Sequence, residues 1–101
     1  MQPSMKMIQQ MQNRLAKIQQ ELEETDIEGS AGGGAVKVVV NGQREFKSIS
    51  IAPEFVDPDD VEMLEETISA AITDAMGRAQ KLNEEKMGVL TGGMKIPGLG
   101  L

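Results

Sequence analysis

The centre of the chain reads Glu28-Gly29-Ser30-Ala31-Gly32-Gly33-Gly34-Ala35-Val36-Lys37-Val38-Val39-Val40-Asn41-Gly42. Glycine costs about 1 kcal/mol per residue in a helix, so the first half of this stretch is not helical. The valines that follow favour an extended, half-buried backbone, because β-branched side chains pack well on a pleated surface. Asn41-Gly42 is a strong signal for a hairpin turn, since both residues tolerate a positive φ. A small sheet is therefore predicted here.

Three antiparallel strands are predicted, over 25–31, 35–41 and 45–51. The glycines between the first two strands are not a phosphate-binding loop, because such a loop needs a helix directly after it. Alternate residues of a strand point to opposite faces, and both faces of the last two strands carry apolar residues. One face is expected to meet the helices of the same subunit, and the other face, or an edge, a second subunit. The residues assigned to that dimer interface are Val36, Val38, Val40, Ile49 and Ile51.

A long helix is predicted on each side of the sheet. The first runs from Ser4 to Glu24, where large apolar residues recur at spacings of three and four. The second starts with Asp57 as its N-cap and Pro58 at its first helical position, and continues to Met87. At about 1.5 Å per residue it is longer than the sheet is wide, so its far half is expected to pair with the first helix.

These elements define one α+β domain over residues 1–90. The predicted subunit is αβββα, with a small antiparallel three-stranded sheet flanked by two long helices. Residues 91–101 contain four glycines and a proline and show no periodicity. They are predicted to be a flexible C-terminal tail.

The composition excludes most catalytic chemistry. The 101 residues include no cysteine and no histidine, which excludes disulfides, thiolate sites and the usual acid/base near neutral pH. The remaining carboxylates, lysines and hydroxyls form no recognisable catalytic group. The chain is not expected to be an enzyme, and no metal, cofactor or small-molecule substrate is predicted.

Size and hydropathy give two further expectations. With two phenylalanines, no tryptophan and no tyrosine, a domain this small has a weak core, so burial against a second copy is expected. No segment approaches the roughly 18 apolar residues of a membrane span. The N-terminus also lacks the apolar core of a signal peptide, so a cytoplasmic location is expected.

Charge is distributed unevenly along the chain, whose net charge is -6. Residues 1–20 contain three bases and no acid, whereas residues 54–66 contain seven acids and no base. Three of these acids lie where the second helix starts and stabilise its positive dipole end, which explains the cluster better than a metal site does. Such segregation can give an acidic protein a basic surface.

The motifs together resemble the YbaB/EbfC family of small bacterial nucleoid-associated proteins. The resemblance covers nearly the whole chain and rests on the segments 28–38, 56–65, 87–93 and 97–99. It implies an αβββα subunit and a homodimer joined largely through the sheets, with paired helices projecting like the arms of tweezers. It also implies DNA binding, a nucleoid location and effects on gene expression.

The resemblance and the absence of acids from residues 1–20 together predict contacts with DNA phosphates. The main candidates are Lys6, Arg14 and Lys17, and the secondary candidates on the last helix are Arg78, Lys81 and Lys86. Neither helix carries an aromatic residue, so duplex DNA is expected rather than stacked single strands. The alternative is a cytoplasmic protein–protein adaptor with little direct DNA binding, suggested by the glutamine-rich helix and the methionines.

Overall fold

A computed structural model describes residues 4–90 and confirms the αβββα architecture. Its elements, in chain order, are helix α1 (Met5–Glu24), strands β1 (Asp26–Ala31), β2 (Val36–Asn41) and β3 (Phe46–Ile51), a 3-10 turn (Pro53–Phe55) and helix α2 (Val61–Leu90). The strands form one antiparallel sheet in the order β1-β2-β3. The predicted C-terminal tail, 91–101, lies outside the described residues.

The core lies between the sheet and α2. The side chains of Val36, Val38 and Val40 are fully buried on one face of β2, against an alanine stripe on the helix. That stripe consists of Ala71, Ala75 and Ala79. The three valines therefore have no surface left for a partner, which corrects their assignment to the dimer interface. A two-residue period separates the faces of a strand, but it does not say which face the helix covers.

The helix approaches the sheet closely at one glycine of β1. A Cβ atom built on Gly29 would lie 2.6 Å from Ala75 Cα and 2.7 Å from the carbonyl oxygen of Ala71. Both atoms belong to the helix backbone and cannot rotate away. The close packing of α2 on β1 is therefore possible only because residue 29 has no side chain and the facing residues of α2 are small.

The two faces of β3 differ from those of β2. Helix α2 packs over β1 and β2, so apolar residues of β3 on the helix side stay partly open to solvent. Phe46 is 55% exposed and Ile49 is 41% exposed, whereas Ile51 is half-buried and packs against the core. On the opposite face Val39 is half-buried, and the exposed residues are polar: Asp26, Glu28, Ser30, Lys37, Ser48 and Ser50. Apolar surface on the sheet is thus concentrated at the β3 edge.

Helix α1 is held to the β2–β3 hairpin through its last residues. The buried Leu22 accepts a hydrogen bond from the Gly42 N–H at 2.7 Å, and Asn41 Nδ2 donates to the Glu23 carbonyl at 3.2 Å. Gln43 Nε2 donates to the Gln19 carbonyl at 2.8 Å. These contacts span a short segment at the C-terminal end of α1. The rest of the helix extends away from the sheet.

Two local predictions are corrected. In the second hairpin the residue with positive φ is Arg44, at 64°, rather than Asn41 or Gly42. Gly42 is needed for a different reason, because a Cβ there would lie 2.8 Å from the Leu22 carbonyl oxygen. Helix α2 begins at Val61, and Asp60 caps it by accepting from the Met63 N–H at 3.2 Å. Asp57 instead accepts from Asp59 in the preceding turn.

Candidate nucleic-acid interface

The main candidate residues lie on one side of the projecting helix. Lys6, Arg14 and Lys17 follow the 3.6-residue repeat of α1, with Gln10 and Asn13 between them. All three basic side chains are exposed, and none forms an ion pair with another residue in 4–90. No acid precedes Glu21 in this helix. Their charges are therefore free to meet an anionic partner.

The secondary candidates on α2 divide into two kinds. Arg78 Nε lies 3.2 Å from Asp74 Oδ1, and Lys86 Nζ lies 3.4 Å from Glu21 Oε2 on α1. Lys81 is exposed and makes no ion pair within the described part of the chain. Exposed pairs of this kind contribute about 0–1 kcal/mol, so Arg78 and Lys86 are only weakly held. Among the three, Lys81 is the free cation.

Asp74 also contacts the outer edge of the sheet. Its Oδ2 accepts a hydrogen bond from the Ser30 N–H at 3.0 Å, an amide of β1 that points away from β2. This bond, followed by the one from Arg78, lowers the pKa of the Asp74 carboxyl below its ordinary value of 3.8. The free edge of β1 is thus partly occupied by a side chain of its own subunit.

The bond from Ser30 makes stability depend on pH. The pKa of Asp74 is lower in the folded chain than in the unfolded one, so its contribution is present above the unfolded value and is lost as pH falls through the folded value. We expect Asp74→Asn to lower the thermal midpoint at pH 7. The deficit should close in acid, below pH 3.8. Thermal unfolding measured at pH 7 and again in acid below pH 3.8 checks this. Glu62→Gln, a substitution of an exposed carboxyl, is the control. An equal deficit at both pH values would contradict it.

Two further exposed bases lie on the sheet and its hairpin, outside both helices, and were not assigned to DNA from the sequence. Arg44 lies in the hairpin that holds the end of α1, and Lys37 lies on the polar face of the sheet. Both are exposed and lack an ion pair among residues 4–90. The segment 29–53 carries three bases and one acid, so the sheet has a basic excess of its own, which the proposed contacts of α1 do not use.

The described residues offer little for other chemistry. No group of three or more acidic, histidine or cysteine side chains within 4–90 is placed to hold a metal ion. Asp57 and Asp60 are used in the turn and cap before α2. Neither helix in this part of the chain is long and apolar enough to cross a membrane.

Comparison with known proteins relates this geometry to a family. The chain is 57% identical over 91 residues to a nucleoid-associated protein of Chloroflexus aurantiacus, covering 90% of this chain and 91% of that protein. It is 52% identical over 95 residues to a nucleoid-associated protein of Pelotomaculum thermopropionicum, covering 94% and 90%. The crystal structure of an uncharacterised Helicobacter pylori protein shares the fold, with a TM-score of 0.77 at 19% identity, over 85% of this chain and 90% of that one. Residues 1–94 match the family model, and the chain belongs to the YbaB/EbfC DNA-binding family.

Proposed function

We propose that this protein binds duplex DNA in the bacterial nucleoid as a homodimer, with α1 of each subunit contacting phosphates. The observation that carries the proposal is the exposed basic side of α1. Its three bases precede Glu21, the first acid of the helix, and form no ion pair within residues 4–90. The names of its relatives support a nucleoid, and hence cytoplasmic, location. Effects on nucleoid organisation and gene expression would follow from such binding.

The dimensions of α1 suit a duplex. Its 20 residues span about 30 Å, close to the roughly 34 Å of one turn of B-DNA. Lys6 and Lys17 are separated by about 16 Å along that axis. Contacts of lysine, arginine and glutamine with phosphates fix position and supply affinity, but they do not read sequence. Binding with weak sequence preference is the expected behaviour.

Salt dependence tests the proposed function. Three phosphate contacts from each of two subunits give six, and each contributes about 0.9 to the slope of log affinity against log salt. We expect a slope of about −5 for a labelled duplex titrated at several salt concentrations. No binding at low salt, or a slope near zero, would contradict phosphate contacts and favour the adaptor.

The β3 edge is the proposed dimer interface. Phe46 and Ile49 expose apolar surface there, while the exposed residues of the opposite face are polar and its Val39 is half-buried. The edge of β1, by contrast, is partly occupied by Asp74. An unpaired strand edge beside apolar side chains favours pairing with another strand. Ile49 therefore stays in the proposed interface, and Phe46 joins it.

Ile49→Lys is expected to convert the dimer to a monomer. A lysine placed in an apolar interface loses hydration without gaining a partner, and its like charge repels the symmetry-related copy. Mass in solution, from light scattering during gel filtration, checks this, and circular dichroism checks the fold. Val61→Lys is the matched control, since Val61 is also an exposed aliphatic residue but lies at the start of α2. A dimer that survives Ile49→Lys would contradict the interface.

The adaptor remains the second candidate. Met5, Met7 and Met11 are exposed on α1, and methionine-rich surfaces adapt to varied protein partners. A protein partner recovered after nuclease treatment, together with salt-insensitive binding, would favour this function.

A further inference from the structure

The apolar stripe of α1 is covered at one end only. Leu22, near the sheet, is 2% exposed, and Ile18 and Leu15 are half-buried. Farther out, Met11 is 56% exposed and Met5 is 78% exposed. These residues recur at spacings of three and four and lie on one side of the helix. The same stripe therefore passes from core to solvent along its length.

The position of helix α2 explains why only the inner half of the α1 stripe is buried. It runs antiparallel to α1, because Ala75 packs at Gly29 and Lys86 meets Glu21, farther from the sheet. It ends at Leu90, four residues and about 6 Å beyond Lys86. Because the helices are antiparallel, Leu90 lies at about the same height along the α1 axis as Lys17. The outer half of the stripe continues past the end of α2. It therefore lies along the line of the α2 axis, beyond Leu90.

The next segment of the chain fits this outer half in length and composition. Residues 91–101, which lie outside the described part, contain Lys95 as their single charged side chain and four large apolar ones: Met94, Ile96, Leu99 and Leu101. The outer stripe, from Ile18 to Met5, is about 20 Å long. Eleven extended residues reach about 36 Å, and Gly92-Gly93 allow the chain to turn after α2.

We propose that residues 91–101 dock along the outer apolar stripe of α1 in the same subunit. The contact would extend the α1–α2 packing to the tip of α1. The segment carries no acid, so it leaves the basic side of α1 available. Tethering makes the contact intramolecular, which raises the local concentration of the segment to about the millimolar range. This inference is independent of DNA binding.

A spin label tests the contact directly. The chain contains no cysteine, so Lys95→Cys gives one attachment site for a nitroxide. With 13C-methyl methionine, we expect the Met7 and Met11 methyl signals to lose most of their intensity when the label is oxidised. Met63 and Met76 on α2 should keep theirs, because they lie toward the sheet. Full signals from Met7 and Met11 would overturn the proposal.

A matched variant separates docking from mere tethering. Ile96→Asp with Leu99→Asp, in the same labelled chain, keeps the tether length but removes the apolar side chains that dock. The Met7 and Met11 signals should then recover. Broadening that persists in this variant would overturn the proposal. A second overturning result would be broadening of Met7 and Met11 in a mixture of spin-labelled, unenriched chains with 13C-enriched, unlabelled chains, because the occupant would then be a second copy.

Discussion

Changing Lys6, Arg14 and Lys17 together to glutamate is expected to lower the affinity for duplex DNA by about 100-fold or more, because six phosphate contacts per dimer are lost. Each new glutamate also repels the phosphate that the replaced lysine or arginine attracted. Because all three side chains are exposed and form no ion pair with another of residues 4–90, the fold should be unchanged. Fluorescence anisotropy with a labelled duplex, beside circular dichroism and mass in solution, makes the measurement.

The matched control reverses three other bases. Lys37, Arg44 and Lys47 lie on the sheet and hairpin, and their change to glutamate alters net charge by the same amount. Among the ion pairs of the described residues, this variant loses the Lys47–Asp26 pair alone, at a cost of about 0–1 kcal/mol. This variant should retain most of its affinity. Equal losses in the two variants would mean that binding follows net charge, and the assignment to α1 would be wrong.

Gly29→Val is expected to destabilise the fold by at least about 3 kcal/mol, at the upper end of what overpacking costs. The new side chain would meet the backbone of α2 at Ala71 and Ala75, so the helix has to move off the sheet. The loss corresponds to a fall in Tm of more than about 10 °C for a domain of this size. Valine favours strands more than glycine does, so strand propensity alone predicts the opposite sign. Thermal and urea unfolding distinguish the two.

Gly77→Ala is the control for this prediction. Gly77 is exposed in α2, and a Cβ built there has nothing within 4 Å. Alanine should therefore stabilise the chain by about 0.8–1 kcal/mol through helix propensity. A Gly29→Val protein as stable as the starting chain would show that α2 can retreat from β1 without loss.

Much of the fold could be predicted from local chemistry. The valine run, the glycines at 32–34 and the spacing of apolar residues in α1 each favour one backbone conformation. The face of β2 that α2 covers could not be predicted from period alone. Gly29 offered a clue, because a glycine within a strand often marks the close approach of another backbone. The cap at Asp60 was missed because Asp57, Asp59 and Asp60 are all suitable residue types, and only the preceding turn distinguishes them.

The candidate site was predictable only in part. The basic residues of α1 were identified because no acid interrupts them over roughly the first four turns. The ion pair of Arg78 with Asp74 follows from i,i+4 spacing and was open to prediction. The pair of Lys86 with Glu21 joins residues that are far apart in sequence and depends on the antiparallel packing of the two helices. Sequence patterns along a single helix carry no information about such a contact.

The attachment of α1 at its sheet end makes it a lever. A helix about 30 Å long that pivots at its base moves its tip by about 0.5 Å for each degree of rotation. The pivot consists of the bonds from Gly42, Asn41 and Gln43 to the last turns of α1. Lys6 lies about 24 Å from Leu22, so a change of 10° there shifts Lys6 by about 4 Å. In the proposed dimer, small adjustments at the hairpin would set the gap between two such helices, and duplexes of different width and curvature would then fit between them.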